Sequence, residues 1–128
     1  MLRKDAKGNI QITRGDVLPI SVSATDVKTK VPYVFQVGDV IRISIYEKKA
    51  AHAVVLQKTF DVVEEATNVP ILLTADEMKL GDLINTPTTY WYEIELNPGT
   101  PKTQTIIGYT IEQGPKTITL LPESGEMN

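Results

Sequence analysis

The chain of 128 residues contains no cysteine, one histidine and few aromatic residues. Without cysteine it can form no disulfide, no thiolate metal site and no thiol nucleophile, so packing must supply its stability. His52, the single histidine, allows at most one serine-type catalytic site, and no serine motif accompanies it. It lies in a predicted loop among lysines and small apolar residues. We therefore expect a protein that is not an enzyme, with no catalytic residues, no cofactor and no metal site.

The chain also lacks an excess of positive charge and any long apolar run. Its net charge is -3 and its pI is about 5.1, so it offers no broad cationic surface, and nucleic acid is not an expected partner. No segment approaches the ~20 apolar residues of a membrane helix, so no membrane partner is expected. The N-terminus shows no apolar signal-peptide core, so we expect the chain to lie first in the cytoplasm of the cell that makes it.

Apolar and polar residues alternate along most of the chain, and short turns separate the alternating runs. In one run Leu18, Ile20 and Val22 share a face, as a half-buried strand requires. The pattern predicts strands over residues 10–13, 18–24, 40–46, 54–63, 69–73, 88–96, 103–111 and 116–121. It indicates an all-β fold, an immunoglobulin-like antiparallel β-sandwich over residues 9–121. Residues 1–8 are expected to be a flexible N-terminus and residues 122–128 a flexible C-terminal tail.

One helix signal interrupts the strands, near residues 75–80. Thr74 and Glu77 have the spacing of a capping box, in which the two side chains satisfy free backbone N–H groups at a helix start. Gly81 offers a left-handed stop, so the predicted helix is about two turns long.

The strand over residues 88–96 carries the residues most typical of a binding surface. Alternation turns four of its residues towards the core: Tyr90, Tyr92, Ile94 and Leu96. The opposite, polar face carries Trp91, Glu93 and Glu95. A large aromatic residue outside the core is typical of an interface anchor, and a helix or loop that covers Trp91 is the alternative. We take these three residues as the candidate interface.

The same strand allows two other interpretations. Glu93 and Glu95 share a face and could act as the carboxylate pair of a glycoside hydrolase, but alternation places them on a polar face rather than in a dry pocket. A carbohydrate-binding module would stack sugars on Trp91, Tyr90 and Tyr92, although only Trp91 is predicted to point outwards. Elsewhere, Arg14-Gly15-Asp16 reproduces an integrin-binding tripeptide at a position where a turn is expected anyway.

The arrangement of strands and turns resembles that of phage tail-associated β-sandwich domains. The resemblance lies in residues 83–96, the proline–glycine turn after them, residues 104–108 and the last strand. The Gly15-Asp16 turn before the strand at residues 18–20, and the strand over residues 40–46, also fit. The family that fits best is the N-terminal domain of baseplate upper proteins, and the resemblance covers most of residues 9–121.

This resemblance implies a phage virion structural or adaptor protein that docks onto tail, baseplate or fibre components. In that family the domain holds a receptor-binding or fibre module on the particle, usually within a ring or trimer, and has no catalytic residues. The implied partners are other virion proteins, with self-association as an option, and the implied location is the virion after synthesis in the host bacterial cytoplasm. We expect no receptor-binding region after the sandwich, unlike in the longer members of that family, so a head-surface decoration or head-fibre role is an alternative, as is carbohydrate binding.

Overall fold

A computed structural model describes residues 2–4, 8–25, 29–47, 50–81, 86–108 and 116–122, with the backbone alone described at residues 2–4 and 50–52. This part of the chain forms nine strands. In chain order they are β1 (Leu2–Lys4), β2 (Ile10–Thr13), β3 (Leu18–Val22), β4 (Val40–Glu47), β5 (Ala50–Asp61), β6 (Val69–Leu73), β7 (Thr88–Leu96), β8 (Gln104–Ile107) and β9 (Lys116–Leu121).

The strands form two sheets of unequal size. The larger sheet has seven strands in the order β1-β2-β9-β7-β4-β5, with β8 also paired to β7, and the smaller consists of β3 and β6. β7 lies between β4 on one side and two strands on the other, because its first half pairs with β9 and its second half with β8. The strand pairs are antiparallel apart from β2 with β9, which is parallel.

Alternation places the apolar residues of both sheets in one core. Leu18, Ile20 and Val22 of β3 are buried while the residues between them are exposed. β4 contributes Ile41, Ile43 and Ile45, and the cluster joins residues of both sheets. The all-β prediction is confirmed, and the shared core is compatible with a β-sandwich.

The predicted helix near residues 75–80 is wrong, since no helix occurs in the described part of the chain. The capping box does form: the Thr74 N–H donates to Glu77 Oε1 at 2.8 Å, and the Glu77 N–H donates to Thr74 Oγ1 at 3.3 Å. The Met78 N–H reaches the Thr74 carbonyl at 3.0 Å, but the chain then leaves through Gly81 at φ 68°. A single turn is too short to offset the cost of helix nucleation, so the segment is a turn that buries Met78.

Glu77 also links this turn to β5. Lys58 Nζ lies 2.9 Å from Glu77 Oε1. The pKa of Glu77 is lowered, first by the hydrogen bond from the Thr74 backbone and then by that from Lys58. The turn therefore fastens the end of β6 to the neighbouring edge of the large sheet.

Three further expectations concern residues at or near the ends of strands. Within residues 1–8, expected to be flexible, Leu2–Lys4 forms β1 and pairs with β2, covering backbone groups that an edge strand would expose. His52 lies in β5 rather than in a loop, because β5 begins at Ala50. Residues 109–111 of the strand predicted over residues 103–111, and residues 123–128 of the predicted tail, lie outside the described residues.

Arg14 ties the turn after β2 to the segment that follows the capping box. Its Nε donates to the Leu80 carbonyl at 3.1 Å, and its Nη2 donates to the carbonyls of Lys79 at 3.2 Å and Gly81 at 2.8 Å. The guanidinium is turned onto the chain itself, so the Arg14-Gly15-Asp16 tripeptide does not present its arginine as an integrin ligand would.

In the described part of the chain, none of the secondary-structure elements is a helix of the length and apolarity needed to cross a membrane.

Replacing Arg14 should destabilise the fold more than loss of one charge would. We expect Arg14→Ala to lower the free energy of unfolding by about 2 kcal/mol, because three carbonyl oxygens lose a charged donor. Arg14→Lys should lower the free energy of unfolding by at least half as much, since an ammonium group lacks the planar fork of the guanidinium. Urea denaturation measures both. Lys79→Ala removes an equal charge at an exposed position. Its free energy of unfolding should stay within about 0.5 kcal/mol of that of the original protein. An Arg14→Ala variant as stable as Lys79→Ala would contradict this interpretation.

Candidate functional site

The structure brings the three predicted interface residues together on the outer face of β7. Trp91, Glu93 and Glu95 occupy alternate positions, and each is partly buried. The residues that alternate with them are buried in the core: Tyr90, Tyr92, Ile94 and Leu96. The alternation inferred for this strand is therefore correct.

Both carboxylates on this face are engaged by side chains of β4. The Tyr46 hydroxyl donates to Glu93 Oε1 at 2.7 Å, and Arg42 Nη2 donates to Glu95 Oε1 at 2.8 Å. Burial raises the pKa of Tyr46, and the hydrogen bond to Glu93 adds to the effect. The arrangement follows from the register, which sets Arg42 opposite Glu95. Cross-strand pairs of this kind stabilise a sheet, and they hold the carboxylates on its surface rather than across a substrate cleft.

Trp91 offers only part of its ring to solvent. It lies opposite Tyr46 on β4 and Thr117 on β9. Its indole Nε1 is buried and has no hydrogen-bond partner among the described residues. Trp91 is thus partly covered, which is closer to the covered alternative than to a fully exposed anchor.

Stacking of sugars would need aromatic rings in a row on the surface. Tyr90 and Tyr92, the other rings of this strand, are 7% and 3% exposed. Each aromatic side chain in the described part of the chain is buried or half-buried. The described surface therefore lacks the flat aromatic platform that carbohydrate binding would use.

A second surface lies at one end of the sandwich, where sequence patterns indicated only turns. An open groove of about 1340 Å³ runs between the segment of residues 29–39 and the turn that joins β7 to β8. Val31, Val34 and Val37 line it and are 58%, 37% and 69% exposed. They are three of the large apolar side chains that are exposed in the described part, and all lie on one short segment.

Asp39 links the two walls of this groove by hydrogen bonds. Its Oδ2 accepts hydrogen bonds from the Tyr33 hydroxyl at 2.7 Å and the Gln36 N–H at 2.9 Å, and its Oδ1 accepts one from Asn97 Nδ2 at 3.2 Å. Burial alone would raise the pKa of Asp39. The hydrogen bonds from Gln36, Tyr33 and Asn97, with the positive charge of Lys102, outweigh burial and lower it. The carboxylate is therefore a fixed acceptor that joins the two walls.

Tyr33 and Phe35 anchor the segment that carries the valines. The Phe35 ring is fully buried and meets the Tyr33 ring edge to face, with centroids 5.0 Å apart. Burial, followed by the hydrogen bond to Asp39, raises the pKa of Tyr33 to about 12. Val34, which lies between these two residues, is turned out into the groove.

Asn97 fixes the other wall at the end of β7. It adopts φ 50°, a left-handed conformation that asparagine tolerates better than most residues. Its N–H donates to the Val40 carbonyl at 2.7 Å, and its Oδ1 accepts from the Val40 N–H at 2.8 Å. The proline–glycine turn of residues 97–101 joins β7 to β8, which pair as a hairpin.

Sequence reasoning missed this groove because its two walls are far apart in the chain. The Gly38-Asp39 and Asn97-Pro98-Gly99 turns were both recognisable, but their contact spans 58 residues. The run from Val31 to Val37 does carry a signal. It is almost wholly apolar and yet begins beside a proline, which suits neither a regular strand nor a solvated loop.

Comparison with protein-family models, with curated proteins and with solved structures finds no match to this chain. Within the described residues, no group of three or more histidine, aspartate or glutamate side chains could hold a metal ion.

Replacing Asp39 should loosen the groove and alter the acid stability of the protein. At pH 7 we expect Asp39→Asn to lower the free energy of unfolding by about 2 kcal/mol, because an amide cannot accept all three hydrogen bonds. The lowered pKa of Asp39 stabilises the fold above the ordinary value of 3.8, and this contribution is lost as the pH falls through the folded-state pKa. The difference between the two proteins should therefore shrink below about pH 4.

Urea denaturation from pH 7 to pH 2.5 measures this difference. Asp76→Asn, at an exposed position, is the matched control and should change stability by less than about 0.5 kcal/mol at pH 7. A difference between Asp39→Asn and the original protein that stayed constant, or grew, on acidification would be incompatible with the role given to this carboxylate.

Proposed function

We propose that this chain is a non-catalytic phage virion protein, a structural or adaptor component that docks onto tail, baseplate or fibre components by protein–protein contacts. The observation that carries the proposal is the groove, where three exposed valines lie on a segment fixed by the buried Phe35 ring and by the hydrogen bond between Tyr33 and Asp39. Apolar side chains are exposed in this way where another protein covers them.

The groove has the composition of a protein-binding surface. Val31, Val34 and Val37 supply an apolar centre, and Gln36 and Lys102 lie among its polar margins. Because Asp39 and Asn97 fix the walls, a partner would lose little of its binding energy to ordering them. The surface around Trp91, Glu93 and Glu95 is a second contact region within the same proposal.

The proposal of a phage particle rests on the resemblance in how strands and turns follow one another along the chain. The stretches that carry this resemblance correspond to β3, β4, the β7–β8 hairpin and β9, and the all-β fold is compatible with it. In this proposal the partners are other virion proteins and the location is the virion, after synthesis in the host bacterial cytoplasm. Neither nucleic acid nor a membrane is a proposed partner.

Two alternatives differ in how far the described surface supports them. Decoration of the phage head, or attachment of a head fibre, would use the same groove at another place in the particle. Carbohydrate binding would need Trp91 with further exposed rings, and the burial of Tyr90 and Tyr92 favours protein binding over it.

Immunogold electron microscopy tests the location. Phage particles induced from the strain that carries the gene are labelled with antibody raised against this chain. We expect label at the tail tip, whereas label on the head would support the head-surface alternative. Particles without label, under conditions where the antibody recognises the folded chain, would rule out a virion component.

Substitutions in the groove test the docking surface. We expect the double variant Val31→Asp, Val37→Asp to enter particles on the order of tenfold less, because a carboxylate buried without a partner costs more than about 1.4 kcal/mol. The double variant Val17→Asp, Val63→Asp is the matched control, since both valines are exposed and neither lines the groove. Quantitative mass spectrometry of particles made with each variant, in place of the original protein, measures incorporation. Equal incorporation of both folded variants would exclude the groove as the docking surface.

A further inference from the structure

β5 is a long strand at the edge of the large sheet. It extends over twelve residues, about twice the usual length of a strand. In the described part of the chain it pairs with β4 alone. An edge of this length displays a row of unpaired N–H and C=O groups that can pair with another strand.

Hydrogen bonds at the end of β4 fix the direction in which the groups of β5 point. The Asn97 N–H donates to the Val40 carbonyl, so Val40 faces β7. Because direction alternates along a strand, Ile41 and Ile43 face β5. The Val62 N–H donates to the Asp39 carbonyl at 2.9 Å, which gives the same alternation from the β5 side.

Over residues 56–61, where β5 pairs with β4 in regular register, the free backbone groups belong to three residues. Ile41 and Ile43 lie opposite Phe60 and Lys58, whose backbone groups face β4. The backbone N–H and C=O of Gln57, Thr59 and Asp61 must point away from the sheet. All three side chains are exposed, and no hydrogen bond within the described residues engages these groups.

This stretch lacks the usual protection of an edge strand. It contains no proline, and the irregular pairing of β5 lies beyond it, near Val54 and Ala50. Lys58 is the kind of inward charge that keeps edges apart. Here, however, its Nζ is paired with Glu77 at 2.9 Å and bonded to the Leu72 carbonyl at 3.2 Å.

We propose that β5 pairs with the β5 of a second copy of this chain, antiparallel about a two-fold axis that passes beside Thr59. The large sheets of the two copies then join into one. This dimer goes beyond docking through the groove and does not depend on it.

The register centred on Thr59 pairs the outward backbone groups of residues 57–61 with one another. Centring the pair on Thr59 sets Gln57 of each copy opposite Asp61 of the other and Thr59 opposite itself. Each of these pairs can exchange two backbone hydrogen bonds. Centring it on Phe60 would leave Gln57 opposite Val63, beyond the end of the strand.

The side chains are complementary in this register. Asp61 meets the amide of Gln57, whose Nε2 also donates to Ser44 Oγ at 3.0 Å within its own chain. Thr59 meets Thr59, a favourable cross-strand pair. On the inner side Lys58 lies opposite Phe60, and within one chain Lys58 Nζ is already 5.2 Å from the centroid of that ring. Centring on Lys58 or Asp61 would instead set like charges directly opposite each other, which is unfavourable. This complementarity favours a second copy over an unrelated strand.

Opposite charges at Thr59 test the dimer and its register together. The intact chain should sediment as a dimer at high concentration and dissociate on dilution. Thr59→Lys and Thr59→Glu should each weaken dimerisation on the order of tenfold, because the new charge faces its own copy. An equal mixture of the two variants should form a heterodimer, seen by native mass spectrometry. Thr67→Lys and Thr67→Glu, at an exposed threonine outside the strands, should behave as the original protein does.

A cysteine at the same position gives a second test that adds no charge. The chain has no native cysteine, so Thr59→Cys should yield one symmetric disulfide dimer on mild oxidation, and Thr67→Cys should remain uncrosslinked. An original protein that stays monomeric up to millimolar concentration would overturn the proposal. So would a dimer that Thr59→Lys and Thr59→Glu leave intact, or equal crosslinking of the two cysteine variants. Particle incorporation of the groove variants is a separate readout, so either proposal can fail alone.

Discussion

Strand β7 is the element on which the rest of the structure depends. It pairs with β4 along one side and with β9 and β8 along the other, so the large sheet has no continuous centre without it. Its inner side contributes Tyr90, Tyr92, Ile94 and Leu96 to the core. Its outer side holds Glu93 and Glu95 in pairs with β4, and its end positions Asn97 at the groove. One alternating sequence thus sets the core, the outer face and a wall of the groove.

The parts of this fold that sequence could predict are those governed by neighbouring residues. Alternation placed both faces of β7 and of β3 correctly, because side-chain direction depends only on the backbone repeat. The capping box between Thr74 and Glu77 was equally local, although the helix it predicted is wrong because the chain offers one turn before Gly81. Parallel pairing of β2 with β9 joins residues more than 100 positions apart, and no local pattern carries such a contact.

The candidate site likewise combines features that follow from neighbouring residues with features that depend on remote contacts. The grouping of Trp91, Glu93 and Glu95 followed from the strand period, but their partners Arg42 and Tyr46 depend on the register between β4 and β7. The groove depends on contacts of Asp39 with both Tyr33 and Asn97, one near in sequence and one remote. On the outer face the carboxylates of Glu93 and Glu95 are paired with side chains of β4. In the groove apolar side chains stay exposed, and this contrast is the physical basis for proposing that the groove binds another protein.

Residue-resolved amide hydrogen exchange tests the central place of β7 most directly. If the large sheet is built around this strand, the amides of residues 90–94 should be among the slowest to exchange, opening only with global unfolding. The amides of β1, an edge strand of three residues, should exchange much faster. Exchange in β7 as fast as in β1, under conditions where the protein is folded, would contradict the account.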